Sequence, residues 1–218
     1  MKILISTFEP GPEDLFAAMT AIGYDKLVLV MEEKHASSKD FLSVKEAVEY
    51  SKGQIESIIV SRYDFMDCFN KIVGYVAGSL APRKGSKQTV DAISINISCG
   101  SKIMSDAAML AAFYLGVPGY YCRPGKTVRL PVLTGVTIKD RFSEPQLKVM
   151  KALKKHGTVD ALEKALSKEL SKSAVDRSLA ELRSMGMVKI NSTGSGLATI
   201  LTEPGTIIAD TLERFASG

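Results

Sequence analysis

The segment Ser98-Cys99-Gly100-Ser101-Lys102 combines residue types that suit an anion-binding turn. Two hydroxyls, a flexible glycine and successive backbone N–H groups precede an apolar helix, and a lysine lies in the first turn of that helix. Donors of this kind at a helix N-terminus bind phosphate. The same spacing also describes an ordinary N-cap with a permissive glycine, and this alternative stays open. Cys99 is expected to be a small filler rather than a reactive thiol, because no base lies nearby in the sequence.

A second segment, Ser6-Thr7-Phe8-Glu9, follows the first predicted strand and is the other candidate for ligand contacts. Neither the dinucleotide fingerprint GxGxxG nor the P-loop pattern GxxxxGK[ST] occurs, so the sequence supports neither an NAD site nor a P-loop. His35 and His156 lie in separate parts of the chain and are expected at solvent-exposed ends of elements. We therefore predict no metal site and no cofactor, and we assign no catalytic residue.

Predicted strands and helices alternate along residues 1–133, and these elements must position the two segments. Continuous apolar strands that alternate with helices require a sheet covered on both faces. The predicted fold class is therefore α/β, with a Rossmann-like three-layer domain and a mostly parallel sheet over residues 1–133. In such a sheet the loops after the first and fourth strands meet at the carboxyl edge, which would bring the two candidate segments together. Strands are predicted at 2–6, 26–31, 55–60, 90–97, 120–123 and 127–133, the last two as a hairpin or an antiparallel edge.

A polar linker is predicted at 134–142. The pattern of residues 143–218 after it predicts three helices, a hairpin and a final helix. The third helix, Ser171 to Met185, should bury Val175, Leu179, Leu182 and Met185. Its opposite face carries small and basic side chains, which allow close approach to the DNA major groove and contact with guanine or phosphate. The alternative is a plain helical subdomain with a hairpin. The predicted DNA contacts are Lys172, Ser173, Asp176, Arg177 and Arg183 on the helix, and Ser192, Thr193 and Ser195 in the hairpin.

The charge distribution separates the two parts of the chain. The 218 residues carry a formal net charge of +4. Residues 141–196 hold 11 basic and 6 acidic side chains, a concentration that favours phosphates as a partner of this region. Three cysteines without CxxC spacing favour a reducing, cytoplasmic setting. No run of about 20 apolar residues exists, so no membrane partner is expected.

Two motifs carry a resemblance to known families. The element order of residues 143–205 resembles the winged helix-turn-helix of the multiple-antibiotic-resistance and arsenical-repressor regulators. Residues 91–104 are similar to the strand, Ser-x-Gly-[Thr/Ser]-Lys turn and apolar helix of the CRISPR-associated Rossmann fold (CARF) regulators, in which a Rossmann-like sensor precedes a winged helix. This family usually has Gly or Thr where the chain has Cys99.

The resemblance implies a ligand-responsive transcriptional regulator that acts in antiviral defence. It implies a homodimer whose two sensor domains share one pocket for a cyclic oligoadenylate, most often the four-membered ring made by type III CRISPR effectors. Double-stranded DNA is the second implied partner. On this assignment the ligand contacts come from residues 6–9 and 98–102.

Two other functions stay open. Some relatives of the sensor domain slowly cleave their cyclic ligand, so a ring nuclease that uses Ser101 and Lys102 as oxyanion donors is an alternative, although an enzyme is not the expected class. The other alternative is a metabolite-responsive repressor unconnected with CRISPR, which would bind a nucleotide or a sugar phosphate in the same turn.

Overall fold

The computed structural model describes residues 1–80, 89–193 and 196–216. The chain divides into two compact units, one over residues 1–137 and one that begins at Ile138. The boundary between these units falls inside the segment 134–142, where the sequence predicts a linker. Among the described helices, none combines the length and the apolar character that a bilayer crossing needs.

The first unit is α/β, and its sheet has the strand order β3-β2-β1-β4-β5-β6. The first five strands pair in parallel, and only the last pair, β5 with β6, is antiparallel. The predicted α/β class with a mostly parallel sheet is confirmed. The strands are β1 (Lys2–Thr7), β2 (Lys26–Met31), β3 (Gln54–Ile59), β4 (Ala92–Asn96), β5 (Gly119–Arg123) and β6 (Lys126–Arg129). The helices are α1 (Glu13–Ala21), α2 (Lys39–Tyr50), α3 (Phe65–Leu80) and α4 (Lys102–Leu115), with a short 3-10 helix at Glu33–Ser37.

Both faces of the central strands are buried because these strands are continuous apolar runs. Leu4, Leu27 and Leu29 point to the face covered by α1 and α2. Alternation along a strand sends Ile3 and Ile5 to the opposite face, where α3 and α4 pack against each other. The sheet thus lies between two helical layers. The loops at the ends of its strands are the parts of this unit that can form a site.

The second unit contains three helices, a two-stranded hairpin and a final helix. A β-bridge from Thr158 to Ala198 links the loop before the second helix to the hairpin. Buried Val149, Met150 and Leu153 supply the apolar side of the first of these helices. The elements are a 3-10 helix (Ile138–Arg141), α5 (Glu144–Leu153), α6 (Val159–Leu166), α7 (Lys172–Ser184), β7 (Val188–Thr193), β8 (Gly196–Leu201) and α8 (Glu203–Ala216).

Two details of this unit differ from the sequence-based expectation. The apolar runs predict hairpin strands at 187–190 and 197–201, whereas pairing in the structure continues to Thr193 opposite Gly196. Ser192 and Thr193 therefore belong to β7, while Ser195 lies outside the described residues. Met185, predicted to face the core, is 45% exposed, because the helix has ended and Met185 is its C-cap.

Candidate functional site

The two candidate segments meet at the point where the strand order reverses. The chain runs from β1 outward through β2 and β3, and then returns to place β4 on the other side of β1. The loops that follow β1 and β4 therefore leave the carboxyl edge of the sheet side by side. In open α/β sheets this crevice is where ligands bind.

Gly100 allows the β4–α4 loop to lie against the β1 loop. Its φ is +81°, in the left-handed region, and a Cβ there would lie 3.0 Å from the Cβ of Thr7. Any other residue would combine backbone strain with this contact. The next residue, Ser101, caps α4 through its side-chain oxygen, which accepts a hydrogen bond from the N–H of Met104.

A buried polar network joins the same two loops. The hydroxyl of Thr7 donates to the carbonyl oxygen of Cys99, and the hydroxyl of Ser105 donates to the same oxygen at 2.9 Å. The amide of Asn96 donates to the Oγ of Ser6 at 2.9 Å. These contacts fix the geometry of the turn from beneath. Asn96 was not predicted as a site residue, although a polar side chain at the end of an apolar strand was a visible signal.

The residues Ser6, Thr7 and Phe8, predicted to contact a ligand, are fully buried. Their side chains are surrounded by other parts of the fold, since the ring of Phe8 packs edge-on against Phe41. They support the site from inside, and the part of this segment that reaches the crevice is Glu9, which is half-buried.

Ser98 and Cys99 are also occupied by the fold. The Oγ of Ser98 donates to Asn96 Oδ1 at 2.7 Å and accepts a hydrogen bond from the backbone N–H of Cys122. Burial raises the pKa of the Cys99 thiol to about 12. A neutral buried thiol is a filler, as the sequence predicted, and the other two cysteines are buried as well.

The groups of the turn that remain available to a ligand are backbone N–H groups and one lysine. The N–H groups of Lys102 and Ile103 have no partner within the helix, because an α-helix leaves its first donors without an acceptor, whereas the N–H of Met104 donates to Ser101 Oγ. Lys102 extends into solvent with its side chain 87% exposed and forms an ion pair with Asp106, Nζ to Oδ2 2.9 Å. The arrangement suits an anion that replaces water at the helix end.

A cluster of charged groups lies beside the turn. Glu9 Oε1 is 3.0 Å from Arg62 Nη2, and Glu32 Oε2 is 2.7 Å from Lys34 Nζ. The hydrogen bond from Lys34 and the positive charges nearby lower the pKa of Glu32. His35 contradicts the expectation of a solvent-exposed end: its side chain is only 12% exposed, because the ring packs edge-on against Phe8.

The same cluster contains a set of groups whose spacing would fit a metal ion. One ligand atom each from Glu9, Glu32 and His35 lies within 4.8 Å of the others. Lys34 and Arg62 already balance the two carboxylates, so a dication would have to displace at least one of these cations. The cluster is therefore described more simply as an ion-pair network around Arg62.

Arg62, whose neighbour in the chain is Tyr63, is a residue of the crevice that the sequence analysis missed. Both residues lie in the loop after β3, at the same carboxyl edge. The Oγ of Ser101 donates to the backbone carbonyl of Arg62 at 3.2 Å, which ties this loop to the turn. The available signal was an Arg-Tyr pair directly after a strand of the parallel sheet.

In the second unit, the predicted DNA-contact residues of α7 are exposed. The buried side of the helix is Val175, Ser178, Leu179 and Leu182. Lys172 pairs with Glu163 of α6, Nζ to Oε2 3.1 Å, which raises the pKa of the lysine. The exposed predicted residues are Lys172, Ser173, Asp176, Arg177 and Arg183 on α7, and Ser192 on β7.

A shallow depression separates α7 from the hairpin. Asp176 and Arg183 line it from the helix, and Ile190 and Leu197 line it from the strands. Two of the predicted helix contacts, Asp176 and Arg183, thus border the same depression as the hairpin.

No family model matches the sequence, and no curated protein matches it. Among solved structures, protein VC1899 from Vibrio cholerae is 14% identical, with a TM-score of 0.48, and the match covers 98% of this chain and 66% of that one. Can2 from Sulfobacillus thermosulfidooxidans, solved with cyclic tetra-adenylate, is 10% identical, with a TM-score of 0.47, covering 99% of this chain and 66% of that one. BpsR of Bordetella bronchiseptica, whose DNA binding is regulated by 6-hydroxynicotinic acid, is 17% identical, with a TM-score of 0.33. That match covers 37% of this chain and 59% of BpsR, so the chain spans less than two thirds of each of these three proteins.

Proposed function

We propose that the protein is a regulator that binds a cyclic oligoadenylate in its first unit and double-stranded DNA through its second. The observation that carries the first half is the β4–α4 turn. It lies at the switch point of the sheet, is braced from beneath by Thr7 and Asn96, and leaves backbone donors and Lys102 to solvent.

A nucleotide with phosphates is the ligand class that fits these donors. Helix N-terminal N–H groups and a lysine recognise negative charge. These groups offer no apolar surface that could form a hydrophobic pocket. A cyclic tetra-adenylate carries four phosphates in a symmetric ring. Two copies of the turn, one from each protomer, would meet that ring with paired helix N-termini and paired lysines.

The outer face of α4 supports the proposed homodimer. Met109, Leu110 and Phe113 are 37%, 44% and 43% exposed on one stripe of this helix. Exposed apolar stripes of this kind mark contact surfaces. Because the turn lies at the N-terminus of the same helix, pairing of α4 about a two-fold axis that runs parallel to this helix would bring two turns toward one ligand.

The second unit is proposed to be a winged helix-turn-helix. Its support is the order of three helices followed by a hairpin, with the hairpin bridged to the loop before α6 through Thr158 and Ala198. In this assignment α7 is the recognition helix, and its exposed Arg177 reaches bases or phosphates in the major groove. The surplus of basic residues over positions 141–196 favours a phosphate backbone as the partner.

Cleavage of the ligand is less well supported than its binding. The hydroxyl of Ser101 already donates to the carbonyl of Arg62 and accepts from the N–H of Met104, so it is committed to the fold. A metabolite-responsive regulator would use the same turn and differs only in the ligand.

Calorimetric titration of the protein with cyclic tri-, tetra- and hexa-adenylate tests the proposal. We expect saturable binding of one ring per two chains. Lys102→Ala should weaken that binding about 10-fold or more, since a hydrogen bond to a charged group contributes about 1.5–3 kcal/mol. Lys45→Ala is the matched control, because Lys45 also forms an i,i+4 ion pair, with Glu49, on a helix away from the turn.

Two outcomes would redirect the assignment. If none of the rings binds and a mononucleotide or sugar phosphate does, the protein is a metabolite-responsive regulator. If chromatography of the titrated mixture shows linear oligoadenylate in proportion to protein and time, the first unit is a ring nuclease.

A further inference from the structure

Tyr63 is a large aromatic side chain that the fold leaves in solvent. It is 76% exposed, and its ring lies over the guanidinium of Arg62, whose Cζ is 5.0 Å from the ring centroid. The cation covers one face of the ring. The other face is therefore free to receive a planar group.

The position of this pair is set by contacts on two sides. The backbone carbonyl of Arg62 accepts from the Oγ of Ser101 at 3.2 Å, which places it at the N-terminus of α4. The guanidinium lies against the β1 loop, with Nη2 3.0 Å from Glu9 Oε1. The Arg62 side chain is only 27% exposed, so the fold holds the cation beneath Tyr63 in place.

We propose that Tyr63 stacks on a nucleobase of the ligand whose phosphate binds at the β4–α4 turn, with Arg62 supporting the opposite face of the ring. This inference rests on the proposed function and names the base-binding part of the same site. Stacking on an aromatic side chain is a common way for proteins to bind bases, and an arginine beside the ring adds a cation–π contribution.

A base fits this surface better than a protein partner does. Protein docking surfaces expose contiguous apolar area, whereas Tyr63 lies between charged Arg62 and Asp64. A base has an apolar face for the ring and a polar edge for such charged neighbours.

The sequence contains no tryptophan, which allows a direct test. Tyr63→Trp introduces one indole whose fluorescence should be quenched when cyclic tetra-adenylate binds, because a stacked adenine quenches it. Tyr50→Trp is the matched control. Tyr50 is 93% exposed and ends the helix that leads into the start of β3, at the opposite edge of the sheet. Its indole should not respond to the ligand.

Calorimetry on three further variants measures how much Tyr63 contributes to the affinity for cyclic tetra-adenylate. Tyr63→Ala should weaken binding of cyclic tetra-adenylate about 5-fold or more, whereas Tyr63→Phe keeps the ring and should bind within about 2-fold of wild type. Tyr50→Ala should bind like wild type. Because Tyr63 is exposed, none of these changes should affect folding.

The outcomes separate the two proposals. If wild-type protein binds none of the cyclic oligoadenylates, the proposed function fails. If wild type binds and Tyr63→Ala binds equally well with no quenching in Tyr63→Trp, the stacking inference fails while the proposed function stands. Loss of binding in Tyr63→Phe would also overturn it, since the hydroxyl and not the ring would then make the contact.

Discussion

At the scale of single residues, several of the side chains that hold the crevice loops together are themselves buried beneath them. The hydroxyls of Thr7 and Ser105 donate to the carbonyl oxygen of Cys99, and the amide of Asn96 donates to Ser6. The Cys99 side chain fills the space beneath the turn. This division is physically necessary, because a loop that presents backbone N–H groups to an anion must hold them still without help from the ligand. The exposed groups that remain are few, so each should have a measurable effect on binding.

The thiols provide a test of this interior. Burial raises the pKa of Cys99 to about 12 and that of Cys68 to about 11. Because a raised thiol pKa leaves almost no thiolate below pH 8, we expect native protein to resist iodoacetamide at pH 7.5. Intact-mass spectrometry should show no adduct on the folded protein and three adducts after denaturation in guanidinium. Rapid single labelling at Cys99 in the native state would instead indicate a reactive thiol in the turn.

At the scale of elements, α4 and α7 present different parts of a helix to a partner. α4 is apolar on most of its surface and presents its N-terminus, so its contribution is a fixed set of backbone donors. α7 buries a narrow side through Val175, Leu179 and Leu182 and presents its whole opposite face. A helix that reads DNA needs such a face, whereas a helix that binds phosphate needs only its end.

Arg177 tests the proposed function of α7. Replacement by alanine removes an exposed cation without disturbing the buried side, so the free energy of unfolding should change by less than about 0.5 kcal/mol. DNA affinity should fall by about 1–3 kcal/mol if the arginine contacts a base, or the salt slope should fall by about one ion if it contacts a phosphate. Fluorescence anisotropy over a salt series distinguishes these cases. Arg129→Ala, on the exposed strand β6 of the first unit, is the matched control. Binding of Arg177→Ala that equals wild type at every salt concentration would exclude α7 as the reader.

At the scale of the whole molecule, the chain joins a nearly neutral unit to a basic one. Residues 1–140 hold 16 basic and 15 acidic side chains, while the excess of positive charge lies within 141–196. A regulator requires that occupancy of one unit changes the affinity of the other, and this coupling is a free energy shared by both ligands. The segment 134–142 is the covalent route by which a change in the first unit would reach the second.

The coupling can be measured with DNA selected from a random-sequence library by ligand-free protein. Saturating cyclic tetra-adenylate should change the affinity for that duplex about 5- to 150-fold at constant salt, the usual range for allosteric coupling. Lys102→Ala should bind the same duplex normally in the absence of ligand and should lose the ligand effect. Unchanged DNA affinity of wild type at saturation would show that the two units are not coupled.

The sequence by itself determined the features that depend on local periodicity. Continuous apolar runs that alternate with helical spacing specify a parallel sheet with covered faces, and β2 and α4 were predicted with the bounds that the structure has. The serine before Lys102 specifies the helix start, because an N-cap acts on N–H groups only a few residues away. The concentration of basic residues in the second unit is likewise a property of the sequence alone.

Only the tertiary structure decided which of the candidate side chains remain available. Ser6, Thr7 and Phe8 are near the turn as predicted, but the fold around them, such as Phe41 and His35 against Phe8, leaves them no exposed surface. Arg62 contacts the crevice loops because β3 lies in the same parallel sheet and ends at the same edge. Burial and partners arise from residues far apart in the chain, such as Thr7 and Cys99 or Arg62 and Ser101, and no pattern of neighbouring residues encodes those distances.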